Sequence, residues 1–163
     1  MTDQELKDLV ASLAEAQKKT DETIRKLSQM YGGASNNQGK VAEEFFFNSL
    51  KYEPVLGGIR FDYIDKNITR SKGDLQEEYD IILVNGKTVY LIEVKYNLHQ
   101  KDMEIFLERK FPNFLKLYPE YSRFEIRLAF ASFSVDESCM AFSKEKGITL
   151  LQRRGQIIET LAA

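Results

Sequence analysis

Along the first part of the chain, Leu6, Val10, Leu13, Gln17, Thr20, Ile24, Leu27 and Tyr31 recur at alternating spacings of four and three. That is the a/d seam of a coiled coil. Residues 3–31 contain no Gly or Pro and are rich in Ala, Leu, Glu, Gln and Lys, the residues that lose least on entering a helix. The remaining faces are charged, so the apolar stripe is narrow. The pattern predicts one N-terminal helix over 1–31 that pairs with a second copy of the chain, the expected assembly being a dimer. Packing on the chain's own domain is the other arrangement open to such a stripe. The Gly32-Gly33 pair stops the helix, and 32–36 reads as a linker to a domain over 37–163.

Beyond the linker the period changes. Asn36 or Asn37 can cap a helix running to about Lys51, and Pro54, Gly57 and Gly58 then break the chain. A strand is expected between Ile59 and Ile68. Two β-branched and aliphatic runs, Glu77 to Val84 and Lys87 to Tyr96, flank Asn85-Gly86, a strong hairpin dipeptide. A helical stretch over 100–118, interrupted at Pro112, comes next. Phe124 to Phe133 reads as a strand, 136–146 as a helix, and 148–151 with 156–159 as a short final pair. The order α-β-β-β-α-β-α-β-β predicts an α/β domain, a mixed sheet with helices on its faces.

A two-residue turn at Asn85-Gly86 would set Val84 opposite Lys87, Asp80 opposite Leu91 and Glu78 opposite Glu93. In that register Glu78, Asp80, Glu93 and Lys95 share one face near the open end of the hairpin. Ile81, Leu83, Tyr90, Ile92 and Val94 line the other face, and Ile82, Val89 and Leu91 continue the charged one. Both faces therefore read as buried. Carboxylates set together in such a place repel one another and cost free energy unless a cation compensates them. Mg2+ or Mn2+, hard ions that prefer oxygen ligands, would do so. On the preceding helix Glu43 falls at the margin of the arc formed by Val41, Ala42, Phe45, Phe46 and Leu50. Glu44 projects from the polar side, and a turn of uncertainty in helix phase exchanges the two.

Composition narrows the choice. A hydrophobic fraction of 43% with 29% charged residues is that of a folded soluble chain. No apolar run approaches the length of a membrane span, and the N-terminal residues lack the basic-then-apolar pattern of a signal peptide. The lone Cys139 cannot form an internal disulfide, so the expected location is the cytoplasm and no membrane partner is expected. With one histidine, His99, a histidine-cluster metal site is excluded, and the residue reads as part of a surface loop. Cys139, beside Met140 and Phe142, reads as a buried small hydrophobe. A net charge of −2 argues against strong nonspecific affinity for nucleic acid. Arg60, Lys66, Arg70, Lys72, Lys101, Arg109 and Lys110 could flank a cleft and hold phosphates, or simply be solvated. No phosphate-binding glycine loop is present.

An acid on a first helix (Gly39-Lys40-Val41-Ala42-Glu43), an Asp on one strand (Glu78-Tyr79-Asp80-Ile81-Ile82-Leu83) and Glu-x-Lys on the next (Ile92-Glu93-Val94-Lys95) resemble the PD-(D/E)XK nuclease superfamily. Tyr79 stands where the superfamily's name has Pro. The likeness spans nearly all of 37–160, and the whole is similar to prokaryotic proteins that set a coiled coil before such a core. It implies a restriction-endonuclease-like α-β-β-β-α-β core and a metal-dependent nuclease, with DNA the expected substrate. It also implies Mg2+ or Mn2+ held by Asp80, Glu93, the Val94 carbonyl and Glu43, with Lys95 positioning or activating water. The competing expectation is a catalytically inactive scaffold that serves as a coiled-coil oligomerisation or partner-binding module.

Overall fold

The computed structural model describes residues 2–30 and 34–162; for 24–30 and 34–36 it describes the backbone alone. The chain forms two compact units, Met1–Lys40 and Val41–Ala163. Helix α1 spans Asp3–Met30. Of its described seam residues Leu6, Val10 and Leu13 are 50%, 57% and 62% exposed. The seam side chains of Ile24 and Leu27, and Tyr31 with the Gly32-Gly33 stop, lie outside the described side chains or residues. Helix α2 spans Ala34–Tyr52, so it begins before the Asn36 or Asn37 expected to cap it.

A short antiparallel pair, β1 (Val55–Leu56) and β2 (Ile59–Arg60), follows. The main sheet has six strands in sequential order: β3 (Tyr63–Lys72), β4 (Leu75–Val84), β5 (Thr88–Leu98), β6 (Glu125–Val135), β7 (Thr149–Arg154) and β8 (Ile157–Ala162). The β5–β6 and β6–β7 pairs are parallel and the others antiparallel. The first long strand therefore starts and ends later than the expected 59–68, because 55–60 is taken up by its own small hairpin. Each parallel step requires a crossover. The first comprises α3 (Gln100–Ile105), a wider π-type turn at Phe106–Lys110 and α4 (Phe111–Leu117). The second is α5 (Glu137–Lys146), closed by Gly147 in the left-handed conformation.

Helices cover both faces, which accounts for strands apolar on both sides. Ala42, Phe46 and Leu50 of α2 pack with Ile81, Leu83, Tyr90, Ile92 and Val94 on one face. On the other, Met103, Phe106, Phe114, Leu117 and Cys139 of the crossover helices pack with Ile82, Val89, Leu91 and Phe130. The expected division of these strand residues between faces holds. The result is a mixed α/β sheet flanked by helices, compatible with a restriction-endonuclease-like core. Among the described residues no helix is long and apolar enough to cross a membrane.

The hairpin register differs from expectation. Val84 pairs with Val89 and Ile81 with Ile92. A two-residue type I′ turn needs positive φ at both central residues, and neither Asn85 nor Gly86 adopts it. Instead the Asn85 side chain accepts hydrogen bonds from the Lys87 and Thr88 amides, 2.8 and 2.7 Å, and the Asn85 amide donates to the Thr88 carbonyl at 3.1 Å. The side chain thus supplies the turn's acceptor. The loop takes in Asn85 to Thr88, and the pairing slides by two residues. Such a slide keeps every side chain on its face but changes which residues meet.

Candidate active site

The slide carries Asp80 from the level of Leu91 to that of Glu93. The β4–β5 ladder extends no further in this direction than Ile81–Ile92, and the strands part there. The Val94 amide, free of a strand partner on that side, donates instead to Asp80 Oδ2 at 2.8 Å. A carboxylate thus occupies the fork between two strands, held by a charge-assisted bond to the backbone.

Both β3 and β4 are irregular at this level. Asn67, between the paired residues Lys66 and Ile68, has φ of 49°, and among the described residues no other non-glycine has positive φ. On β4, Tyr79 and Ile82 pack beneath the crossover helices while Ile81 and Leu83 pack beneath α2. The alternation of a regular strand is broken at Asp80. Glu78, Asp80, Glu93 and Lys95 therefore do not form the single opposed row expected from the sequence. Glu78 is exposed on β4, and its charge reaches Glu43 rather than pairing with Glu93.

Asp80 adjoins two further acids. Glu93 is 6% exposed; burial and then the neighbouring Asp80 push its carboxyl up to about 9. Glu43, half-buried on α2, is pushed up to about 7 by burial, then by the charges of Asp80 and Glu78. Glu44 is exposed, so the helix acid beside Asp80 is Glu43. Each raised value has the same meaning: a carboxyl that cannot easily hold its charge beside the next one.

The lysine paired with this cluster is Lys110, not Lys95. Lys95 is exposed and forms no ion pair among the described residues, although it lines the same cleft of about 100 Å3 as Glu93, Arg109 and Lys110. Lys110, at the end of the π-type turn, places Nζ 3.0 Å from Glu93 Oε2 and 3.4 Å from Oε1. Beside it Arg109 Nε lies 3.2 Å from Glu77, which also accepts from Asn113 Nδ2 at 3.0 Å. The Tyr79 hydroxyl donates to the Lys110 carbonyl at 2.8 Å. Tyr79, the residue before Asp80, thereby clamps the turn that carries Lys110. In the sequence Lys110 stands among the possible phosphate contacts, and nothing local marks the π-type turn that aims it at Glu93.

The oxygen-only donor set of Asp80, Glu93 and Glu43 suits a hard divalent ion, and the mutual repulsion of the acids is what such an ion relieves. Among the described residues, no group of three or more Asp, Glu, His or Cys is arranged to hold a metal ion; Asp80 instead adjoins Glu43 on one side and Glu93 on the other, with Glu93 also engaged by Lys110. The other residues singled out lie elsewhere. His99 is exposed and bonds Asp136 through Nδ1 at 2.5 Å, which raises its pKa. Cys139 is buried in α5, its thiol directed at the Leu98 carbonyl and its pKa raised by burial.

No protein-family model and no curated protein matches the chain. Among solved structures it is similar to AF1548, a protein of unknown function, at 16% identity and TM-score 0.43, over 65% of this chain and 56% of that one. It is similar to VC1899 from Vibrio cholerae at 14% identity and TM-score 0.47, over 76% of this chain and 31% of that one. It is also similar to the small subunit of the heterodimeric restriction endonuclease R.BspD6I at 15% identity and TM-score 0.41, over 81% of this chain and 71% of that one. This chain thus spans about half of the first of these proteins and about a third of the second.

Proposed function

We propose that the core is a metal-dependent nuclease that hydrolyses phosphodiester bonds in DNA. The observation that carries this reading is the fork at Asp80. A carboxylate held by the Val94 amide sits between two acids, Glu43 and Glu93, whose pKa values are raised by burial and then by Asp80 itself. Charges placed this way work against the fold unless protons neutralise them or a cation joins them, and a divalent ion would join all three. Asp80, Glu93, Glu43 and the Val94 carbonyl would hold Mg2+ or Mn2+. Such an ion would polarise a phosphoryl oxygen and lower the pKa of a bound water. Lys95, solvent-facing on the cleft it shares with Glu93, would orient that water and balance charge on the phosphate.

The pairing of Glu93 with Lys110, together with the lack of a converged group of acids among the described residues, favours a second reading, an inactive nuclease-like scaffold joined to a coiled-coil module. Cleavage of labelled single-stranded DNA, duplex, junction and RNA with Mg2+, Mn2+ or chelator separates the two. The nuclease reading expects chelator-sensitive cutting of a DNA substrate that Asp80→Ala and Lys95→Ala both lose. Activity unchanged in folded Asp80→Ala would sink it.

A further inference from the structure

Lys110 is more deeply set than a lysine that merely neutralises a surface acid. Its side chain is 16% exposed and that of Glu93 is 8% exposed. The ammonium bonds both carboxylate oxygens, and the backbone beneath it is secured through the Tyr79 hydroxyl. A lysine stem is flexible and ends in a compact charge, whereas the residues that carry it here are packed: Phe106 of the same turn is buried. The charge is therefore free to move and its base is not.

We infer that Lys110 is a built-in competitor for the metal: its ammonium occupies both oxygens of the Glu93 side chain in the metal-free protein, and a divalent cation must displace it to be bound. This rests on the metal-dependent reading above. A divalent ion on Glu93 and an ammonium 3.0 Å from the same oxygen would repel, so one excludes the other. Lys110 thus lets the cluster of acids fold without its ion and weakens metal binding in return. Displaced, it remains on the wall of the cleft it shares with Lys95 and Arg109. Lys110 is here a positioning residue, acting on Glu93 and not on the substrate.

The test is Mn2+ titration by calorimetry on the full-length protein, comparing wild type with Lys110→Met, Lys110→Gln and Asp80→Ala. Urea unfolding in chelator is run beside it on Lys110→Met, Glu93→Gln and the double variant. Lys110→Met and Lys110→Gln should bind Mn2+ about tenfold more tightly or better, with unchanged stoichiometry. In chelator Lys110→Met should be less stable than wild type, and adding Glu93→Gln should restore most of the loss, because the two residues act as a pair. Mn2+ binding that Asp80→Ala abolishes but neither Lys110 variant tightens overturns this inference alone. Absence of Mn2+ binding in the wild type overturns both it and the metal-dependent reading. If Lys110→Met fails to fold in chelator, the Lys110→Gln affinity decides the outcome.

Discussion

Asp80 does three things at once. It caps the Val94 amide where two strands part, it raises the pKa of Glu93, and it raises that of Glu43. The first stabilises the metal-free fold and the other two work against it. Asp80→Asn keeps an acceptor for the amide and removes the charge. We expect it to raise the melting temperature of the metal-free protein at alkaline pH by about 2–4 °C while abolishing any response to Mn2+; differential scanning calorimetry with and without metal checks both. The sign of the pH dependence follows from the same groups. Burial, then Asp80, raises the Glu93 carboxyl from 4.5 to about 9, and burial, then Asp80, raises Glu43 from 4.5 to about 7. The folded protein therefore holds protons that the unfolded chain releases. This contribution to stability is fully present below about pH 4.5 and is lost as pH rises through the folded values. A metal requires the deprotonated carboxylates, so its effect runs the opposite way. The Mn2+-induced rise in melting temperature should be near zero at about pH 5 and grow toward about pH 8. A rise that shrinks over this range would contradict the assignment of these carboxyls as ligands.

At the scale of elements, the site depends on interruptions in otherwise regular structure. Asn67 and the break at Asp80 distort β3 and β4 together, and the π-type turn re-aims the crossover helix so that Lys110 meets Glu93. Such departures persist when surrounding packing over-determines them. Here Tyr79 provides part of that packing: its ring meets Phe114 edge-on at 5.3 Å and its hydroxyl reaches the Lys110 carbonyl. Tyr79→Phe keeps the ring and removes the hydroxyl's bond to the Lys110 carbonyl, so it should cost about 1 kcal/mol in urea unfolding. With the turn less firmly held, Mn2+ affinity should rise toward that of Lys110→Met. A stability loss with no change in affinity would mean that Tyr79 supports the core without governing Lys110.

At the scale of the whole molecule, α1 carries exposed apolar residues: Leu6, Leu9, Val10 and Leu13. A stripe of this kind on a helix of 28 residues is the feature that a second copy would bury. Changing Leu6 and Leu13 together to Asp should shift the protein from dimer to monomer in sedimentation velocity, with the melting transition of the Val41–Ala163 unit unaltered. A wild-type monomer, or a mutant that remains dimeric, would remove the coiled coil from the account. Two cores brought together in this way would present two sites to one duplex. If the nuclease reading holds, the double variant should lose cutting of duplex more than cutting of single strands, compared on the labelled panel.

The periodicities along the chain sufficed to anticipate nearly every element and both buried faces of the hairpin, because burial on a strand or helix leaves a mark at each position that repeats. The pairing of α1 and the chemistry of Asp80, Glu93, Glu43 and Lys95 remain expectations that the experiments above decide. Meeting of distant side chains leaves no such mark. The slide of two residues came from one hydrogen-bonding side chain, Asn85, and it set Asp80 beside Glu93 instead of Leu91. The break at Asp80 and the π-type turn beneath Lys110 came from tertiary packing that overrides local preference. The sequence by itself determined which residues are buried and in what order the elements run. Only the tertiary structure decided which charges meet, because the energy of a charge depends on what lies a few ångströms away and not on its neighbours in the chain.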